Sequence, residues 1–262
     1  MDNTVTCAWI EDLTWPEVEA RLPGDAVVVL PVGAIAKEHG PHLPMKTDWL
    51  LARELAGRVG AALPVLIAPV IAFGYYPAFR HWPGSQHLGP ETFTALVHDI
   101  ITGLIAQGAR HIAIVNTGVS TEPVLQVVTR ELYESTGLRI PVANISRMGS
   151  TAAHLMEHDI DGHADEEETS MMLVIAPELV RLDRARRDDG NMRDAPATVF
   201  RQPSAFRNDP DGGIDHSATG ARGDPSLATP EKGEAALAAM ADDLISGLMA
   251  LFPEQLSSEN QT

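Results

Sequence analysis

Apolar residues along this 262-residue chain fall into two rhythms. Short aliphatic and β-branched runs at 25–30 (D-A-V-V-V-L), 65–70 (V-L-I-A-P-V), 111–115 and 140–145 are continuous rather than alternating. Runs of that length without a polar face predict strands buried on both sides. Between them lie segments with helical spacing. Residues 48–59 place Leu50, Leu51, Leu55 and Val59 on one side, 91–107 follows Gly89-Pro90 and stops at Gly108, 123–136 stops at Gly137, and 167–176 is closed by Pro177. A short helix over 15–22 with Thr14 as N-cap opens the series, and Thr229-Pro230 starts a last helix reaching to about Leu251.

Strand and helix alternating at this pace predict an α/β fold: a single domain over 1–253 with a mostly parallel sheet flanked by helices on both faces. Residues 254–262 read as a polar tail. From 184 to 225 the periodicity gives way to Asp, Arg, Gly, Asn and Pro. A stretch that long without elements predicts a functional or interface loop.

Charge changes this picture by exclusion. The formal net charge is -17, from 19 basic and 36 acidic residues, so neither nucleic acid nor an anionic membrane is an expected partner. Cys7 is the single cysteine, which rules out an intramolecular disulfide, and it is expected to be a packed small residue rather than a nucleophile. Met1-Asp2-Asn3-Thr4 carries no basic region followed by an apolar stretch, and no apolar run approaches the roughly 20 residues of a bilayer span. A cytoplasmic protein is expected.

The candidate chemistry begins where the first predicted strand ends. Residues 31–48 read P-V-G-A-I-A-K-E-H-G-P-H-L-P-M-K-T-D, which puts Glu38, His39, His42 and Asp48 around a Gly-Pro turn. Strand ends that spill into polar loops are where open α/β sheets place their ligands. Imidazoles with carboxylates suit a divalent zinc, manganese or iron ion.

This segment resembles the creatininase family of metal-dependent amidohydrolases. The family motif is P-x-G-(S/A)-x-E-Q-H-G-P-H-L-P with an aspartate nine residues after its first histidine, a separation that His39 and Asp48 keep. Further resemblance lies at 13–19, at Pro83-Gly84-Ser85, at 163–170 and at Gly223-Asp224-Pro225, in the family's order along nearly the whole chain. The resemblance implies a creatininase-like fold, a homo-oligomer (hexamers are common in the family) and a two-metal site bridged by the aspartate. Two ions roughly 3.5–4 Å apart can share a hydroxide that attacks a carbonyl.

Two departures bear on that site. The chain has one residue more than the motif between Gly33 and His39, so Lys37 falls where the family has its glutamate. A protonated lysine cannot ligate, so either the backbone bulges to bring Glu38 in, which is the expectation, or that ligand is lost. After the third predicted strand the family has a metal-binding histidine in N-G-H, whereas here 116–121 read N-T-G-V-S-T, with Gly118 at the histidine's place and Ser120 where some members have a glutamate. One or two ions per subunit are therefore open, with His87 of the 83–88 segment as a candidate replacement ligand. Residues 163–170, H-A-D-E-E-E-T-S, resemble the family's H-A-G-E-x-E-T-S. By that resemblance Glu168 faces the metal and His163 faces the substrate, where an imidazole can serve as the acid for a leaving group. His42 is expected to support the loop as a hydrogen-bond donor.

The aromatic stretch 73–82, with Tyr76, Arg80, His81 and Trp82, is expected to wall the pocket and anchor a substrate carbonyl or carboxylate together with Ser120. The expected activity is hydrolysis of a small cyclic or short linear molecule, with an amide C–N bond as the target. A lactone or cyclic ketone, cleaved at C–O or C–C, is the alternative with the same site. Two rivals stand beside it: a metal-free binding or regulatory relative, and a zinc peptidase built on His154, Glu157 and His158, which match H-x-x-E-H. Asp159-Ile160-Asp161-Gly162 faintly resembles a calcium loop, but its glycine is misplaced for one.

Overall fold

The computed structural model describes residues 8–158, 162–191, 199, 203 and 205–256. Cys7, Asp159, Asp161 and residues 257–262 lie outside them, as do parts of the 184–225 stretch. Five strands form one all-parallel sheet in the order β1-β3-β2-β4-β5: β1 Ala8–Trp9, β2 Val27–Val32, β3 Val65–Ile67, β4 His111–Asn116 and β5 Val142–Asn144. The helices are α1 Trp15–Glu19, α2 Thr47–Ala62, α3 Pro90–Ala106, α4 Glu122–Thr136, α5 Glu166–Ile175, α6 Pro230–Leu251 and the single turn α7 Pro253–Leu256.

The continuous apolar runs are explained by two-sided burial. In β2, Val27 and Val29 pack with Leu51, Leu55 and Val59 of α2 and with Leu237, Met240 and Leu244 of α6. Val28, Leu30 and Val32 point the other way, to Phe93, Val97 and Ile101 of α3 and Leu125, Val128 and Leu132 of α4. Side chains alternate across a strand, so a strand covered on both faces has no position left for a polar residue. The chain leaves β2 towards β3 on one side and leaves β4 towards β5 on the other. The carboxyl ends of β2 and β4 therefore flank the crevice where such sheets bind ligands.

Element ends differ from expectation for local reasons. The strand expected over 65–70 is regular only for Val65–Ile67, because Pro69 has no N–H for the ladder, although Ile71 still donates to Pro31 O (2.9 Å). The strand expected over 140–145 shortens to Val142–Asn144, as Ile145 begins a 3-10 turn. The first helix ends at Glu19, short of Leu22. Gly137 closes α4 with φ 73°, and Thr229 caps α6 by accepting from Lys232 N–H. Glu254 to Leu256, expected in the tail, belong to α7, with Leu256 buried. No helix among the described residues is long and apolar enough to cross a membrane.

The segment holding His154, Glu157 and His158 is not a helical face. Only Ala153–Leu155 form a 3-10 turn, and Met156 is extended. His154 is exposed with Nδ1 on Thr151 O, Glu157 pairs with Lys232, and His158 Nε2 lies 3.0 Å from Asp189 Oδ1. The three side chains go to three different partners, so the H-x-x-E-H arrangement of a zinc peptidase does not form.

Candidate metal centre

The loop after β2 turns back across the start of α2, and Gly33 permits that turn. A Cβ at Gly33 would run into the Asp48 carbonyl oxygen and come within 2.8 Å of Ala52 Cβ. Gly40, at φ 67°, supplies the left-handed step of the Gly-Pro turn. Between these two glycines the chain presents Lys37, Glu38 and His39, all buried, against Asp48 in the first turn of α2.

His39 is fixed from both sides. Its Nδ1 donates to Lys37 O at 2.9 Å, and its Nε2 faces Asp48 Oδ1 at 2.8 Å. Burial opposes charging this ring, yet the Asp48 carboxylate raises its pKa above the ordinary value in spite of Lys37. Asp48 is completely buried, and burial opposes its ionisation. The Lys37 and His39 charges outweigh that and hold it well below the usual carboxylate range. The second Asp48 oxygen, Oδ2, meets Lys37 Nζ at 2.8 Å, while the same ammonium lies 4.9 Å from the Phe79 ring centroid.

The other half of the site comes from the start of α5. His163 backbone pairs with Arg222 (2.9 and 2.7 Å), and Ala164 takes the unusual φ of 48°. Non-glycine residues in this region cost of order 1–3 kcal/mol and persist where surroundings impose them. Here the reward is an Ala164 N–H aimed at Glu168 Oε2 (2.6 Å). Asp165 caps α5 by accepting from Glu168 N–H, and burial, with the Glu168 and Glu167 charges, pushes its carboxyl up to about 8.

His163 is the hinge of the cluster. Its Nε2 is 2.9 Å from Glu38 O and 3.2 Å from Glu38 Oε2, and its Nδ1 is 3.8 Å from Glu168 Oε2. Its ring centroid is 4.9 Å from that of His39, 4.4 Å from Phe79 and 5.3 Å from Phe206. Burial works against the Glu38 charge, but the His163 hydrogen bond and charge, the His39 charge and the Gly40 N–H together keep its carboxyl below the usual range. His42 stands apart, with Nε2 2.9 Å from Thr169 Oγ1, and burial lowers its pKa to about 4.

His39, His163 and Glu168 each offer a ligand atom, all within 4.8 Å of one another. Two imidazoles and a carboxylate are a zinc- or manganese-type donor set, and the backbone acceptor on His39 Nδ1 orients that ring as supporting bonds do in metal sites. This set fits one divalent ion. On the Asp48 side the neighbours are Lys37 and Gly118; a Cβ built on Gly118 would lie 3.7 Å from Asp48 Oδ2, so a side chain at that position would face the aspartate.

The expected residues therefore divide. His39, His163 and Glu168 come together with Glu38 and Asp48 beside them. Lys37, rather than Glu38, faces Asp48: the extra residue turns Glu38 towards His163 and Gly40, where its N–H is held by Ser85 Oγ (3.1 Å). His87 does not join them. Leu88 N–H pairs with Gly74 O and Gln86 N–H with Ala36 O, so the half-buried His87 ring lies 6.0 Å from Tyr76. A cleft of about 760 Å³ opens on the cluster, lined by Lys37, His163 and Glu168, by Ser120 and Thr117 from the β4 loop, and by Phe79 and Phe206. Tyr76 is buried with its hydroxyl donating to Gln86 O, Trp82 Nε1 donates to Phe206 O (2.9 Å), and Arg80 and His81 are exposed with each other as partners. The aromatic stretch thus buttresses the wall, and Phe79 is the member that meets the cleft. Phe206, stacked on Phe79 at 4.7 Å, comes from the patternless stretch, and no periodic signal marked it in the sequence. Arg147 and Arg222 also line the cleft without having been marked.

A parallel α/β sheet with an imidazole–carboxylate cluster at its switch point defines a metal-dependent hydrolase of the amidohydrolase kind. The family profile described as "Creatininase: Creatinine amidohydrolase" matches residues 11–248, and the chain belongs to the creatininase family. It is similar to the creatinine amidohydrolase of Pseudomonas putida, 29% identical over 264 residues covering 94% of this chain and 97% of that one. It is also similar to a mycofactocin precursor peptide peptidase of Mycobacterium tuberculosis (29% identical, covering 87% and 86%) and to the 3-dehydro-scyllo-inosose hydrolase of Thermotoga maritima (23%, covering 95% and 86%). Among solved structures, a manganese creatininase superposes with a TM-score of 0.78 at 28% identity, covering 95% of this chain and all of that one. A creatininase mutant of Zn-Zn type gives 0.75 at 29%, covering 94% and 98%.

Proposed function

We propose that the chain hydrolyses an amide C–N bond in a small cyclic or short linear molecule, using a divalent zinc or manganese ion held by His39, His163 and Glu168. The observation that carries this reading is the convergence of those three residues, with His163 and Glu168 lining a cleft that Phe79 and Phe206 wall and His39 buried behind them. Once bound, such an ion polarises a carbonyl and lowers the pKa of water. The chain's own groups prepare the donors. His39 Nδ1 donates to Lys37 O, which orients the ring so that Nε2, hydrogen-bonded to Asp48 Oδ1, would give up its proton to offer a lone pair to an ion. His163 keeps its proton at Nε2, because the Glu38 carboxylate and carbonyl both accept there, which leaves Nδ1 facing Glu168. In this reading His163 is a ligand, a different role from the proton donor to the leaving group expected from the sequence. Phe79 and Phe206 exclude water from one side and receive an apolar substrate face.

Two of the three relatives named above are an amidohydrolase and a peptidase, which supports the amide bond. A second reading, hydrolytic opening of a cyclic ketone, is favoured by the inosose hydrolase relative. The same proposal includes a homo-oligomer, which sedimentation velocity tests, and a cytoplasmic location, which cell fractionation tests. For the activity, purified wild type, His39→Ala and His158→Ala are compared for metal content by elemental analysis and for turnover of lactams, formamides, short peptides and a cyclic ketone. Wild type and His158→Ala should retain metal and share one activity, and His39→Ala should lose both. Equal metal in all three would sink the reading.

A further inference from the structure

Lys37 and Gly118 together leave Asp48 without the company a second metal ion needs. Lys37 Nζ is 2.8 Å from Asp48 Oδ2, with the side chain 7% exposed, and its other side is covered by the Phe79 ring. A Cβ built on Gly118 would lie 3.7 Å from the same oxygen, and the glycine offers it no side-chain ligand. Its carbonyl is taken by Asn116 Nδ2 (2.9 Å), and Thr117 Oγ1 donates to the Asp48 carbonyl (2.8 Å). We infer that this chain binds a single divalent ion per subunit and that the Lys37 ammonium takes the place of a second ion beside Asp48. The inference rests on the metal reading proposed above and concerns how the same site is completed.

Charge supports it. Glu38, Asp48 and Glu168 carry three negative charges around the cluster. One divalent ion and one ammonium balance them, whereas two ions and the ammonium would leave a buried excess of positive charge, which is costly without partners. Replacing the ion changes what that side of the site can do. A metal ion takes lone pairs from water or substrate in an open coordination position, while an ammonium only donates N–H bonds. Lys37 lines the cleft, and in this proposal its ammonium donates a hydrogen bond to a substrate oxygen and favours negative charge developing there.

Counting ions tests this. Wild type is dialysed against excess Mn(II) or Zn(II), desalted and analysed for metal per chain, and the Mn(II) form is examined by electron paramagnetic resonance. One ion per chain with the hyperfine pattern of an isolated Mn(II) supports the inference. Two ions per chain, or a spin-coupled Mn pair, would overturn it and leave the hydrolase proposal standing; no bound metal would overturn both. The variant Lys37→Glu/Gly118→His should raise the content towards two, and a folded double variant still at one ion would overturn the assignment of the exclusion to these positions. The wild-type count decides the main claim even if that variant does not fold.

Discussion

Gly33 and His42 show how single residues set this site. The loop after β2 passes so close to α2 that a Cβ at Gly33 has no room. Gly33→Ala should cost about 1–3 kcal/mol, the usual range for overpacking, and should weaken metal retention by shifting His39 relative to Asp48. Urea melts together with metal analysis would check this, and an unchanged midpoint would refute the close approach. His42 makes stability depend on pH. Its pKa falls from 6.5 to about 4 on folding, so between those values the unfolded chain binds more protons than the native one. The His42 contribution should therefore be full above about pH 6.5 and decline as pH falls towards about 4, against the opposite slope from the raised Asp165 carboxyl, which takes up a proton on folding. His42→Gln should flatten that decline in denaturant midpoints measured across the range, while the depressed Glu38 carboxyl leaves a remainder at the acid end.

At the scale of elements, the sheet and its covering helices hold the ligand loops in place. Leu125 of α4 is fully buried among Leu30, Ile114 and the apolar face of α3. Leu125→Ala should lose about 2–5 kcal/mol in urea unfolding, as truncations in tight cores do, with ion stoichiometry in the folded fraction unchanged. A loss of metal without a loss of stability would mean that α4 acts on the site directly. The elements themselves were largely readable. Short continuous β-branched runs such as Val27 to Leu30 read as central strands, and helix ends were marked by Gly137 and Thr229-Pro230. The misreadings came where a proline or a turn cut a run short, at Pro69 and Ile145; the five-residue match His154 to His158, carried only as a rival, fails because its backbone is not helical.

Across the whole molecule, the sequence by itself determined the alternation of strands and helices, the two-sided burial of the sheet and the placement of His39 and Asp48 at a strand end. Those features follow from local patterns: periodicity, caps, and ligand types close together in the chain. Tertiary structure alone decided which side chains share the site. His163 and Glu168 meet His39 only because β2 and the start of α5 are brought to one end of the sheet. The choice between Lys37 and Glu38 turned on the path of one extra residue between two glycines, which sequence spacing does not specify. Phe206 reached Phe79 from a segment without periodicity, since loops are placed by contacts distant in sequence rather than by their own pattern. Backbone preferences act over a few residues and are written locally, whereas the electrostatic pairing of Lys37 with Asp48 depends on a distance that exists only once the chain has folded.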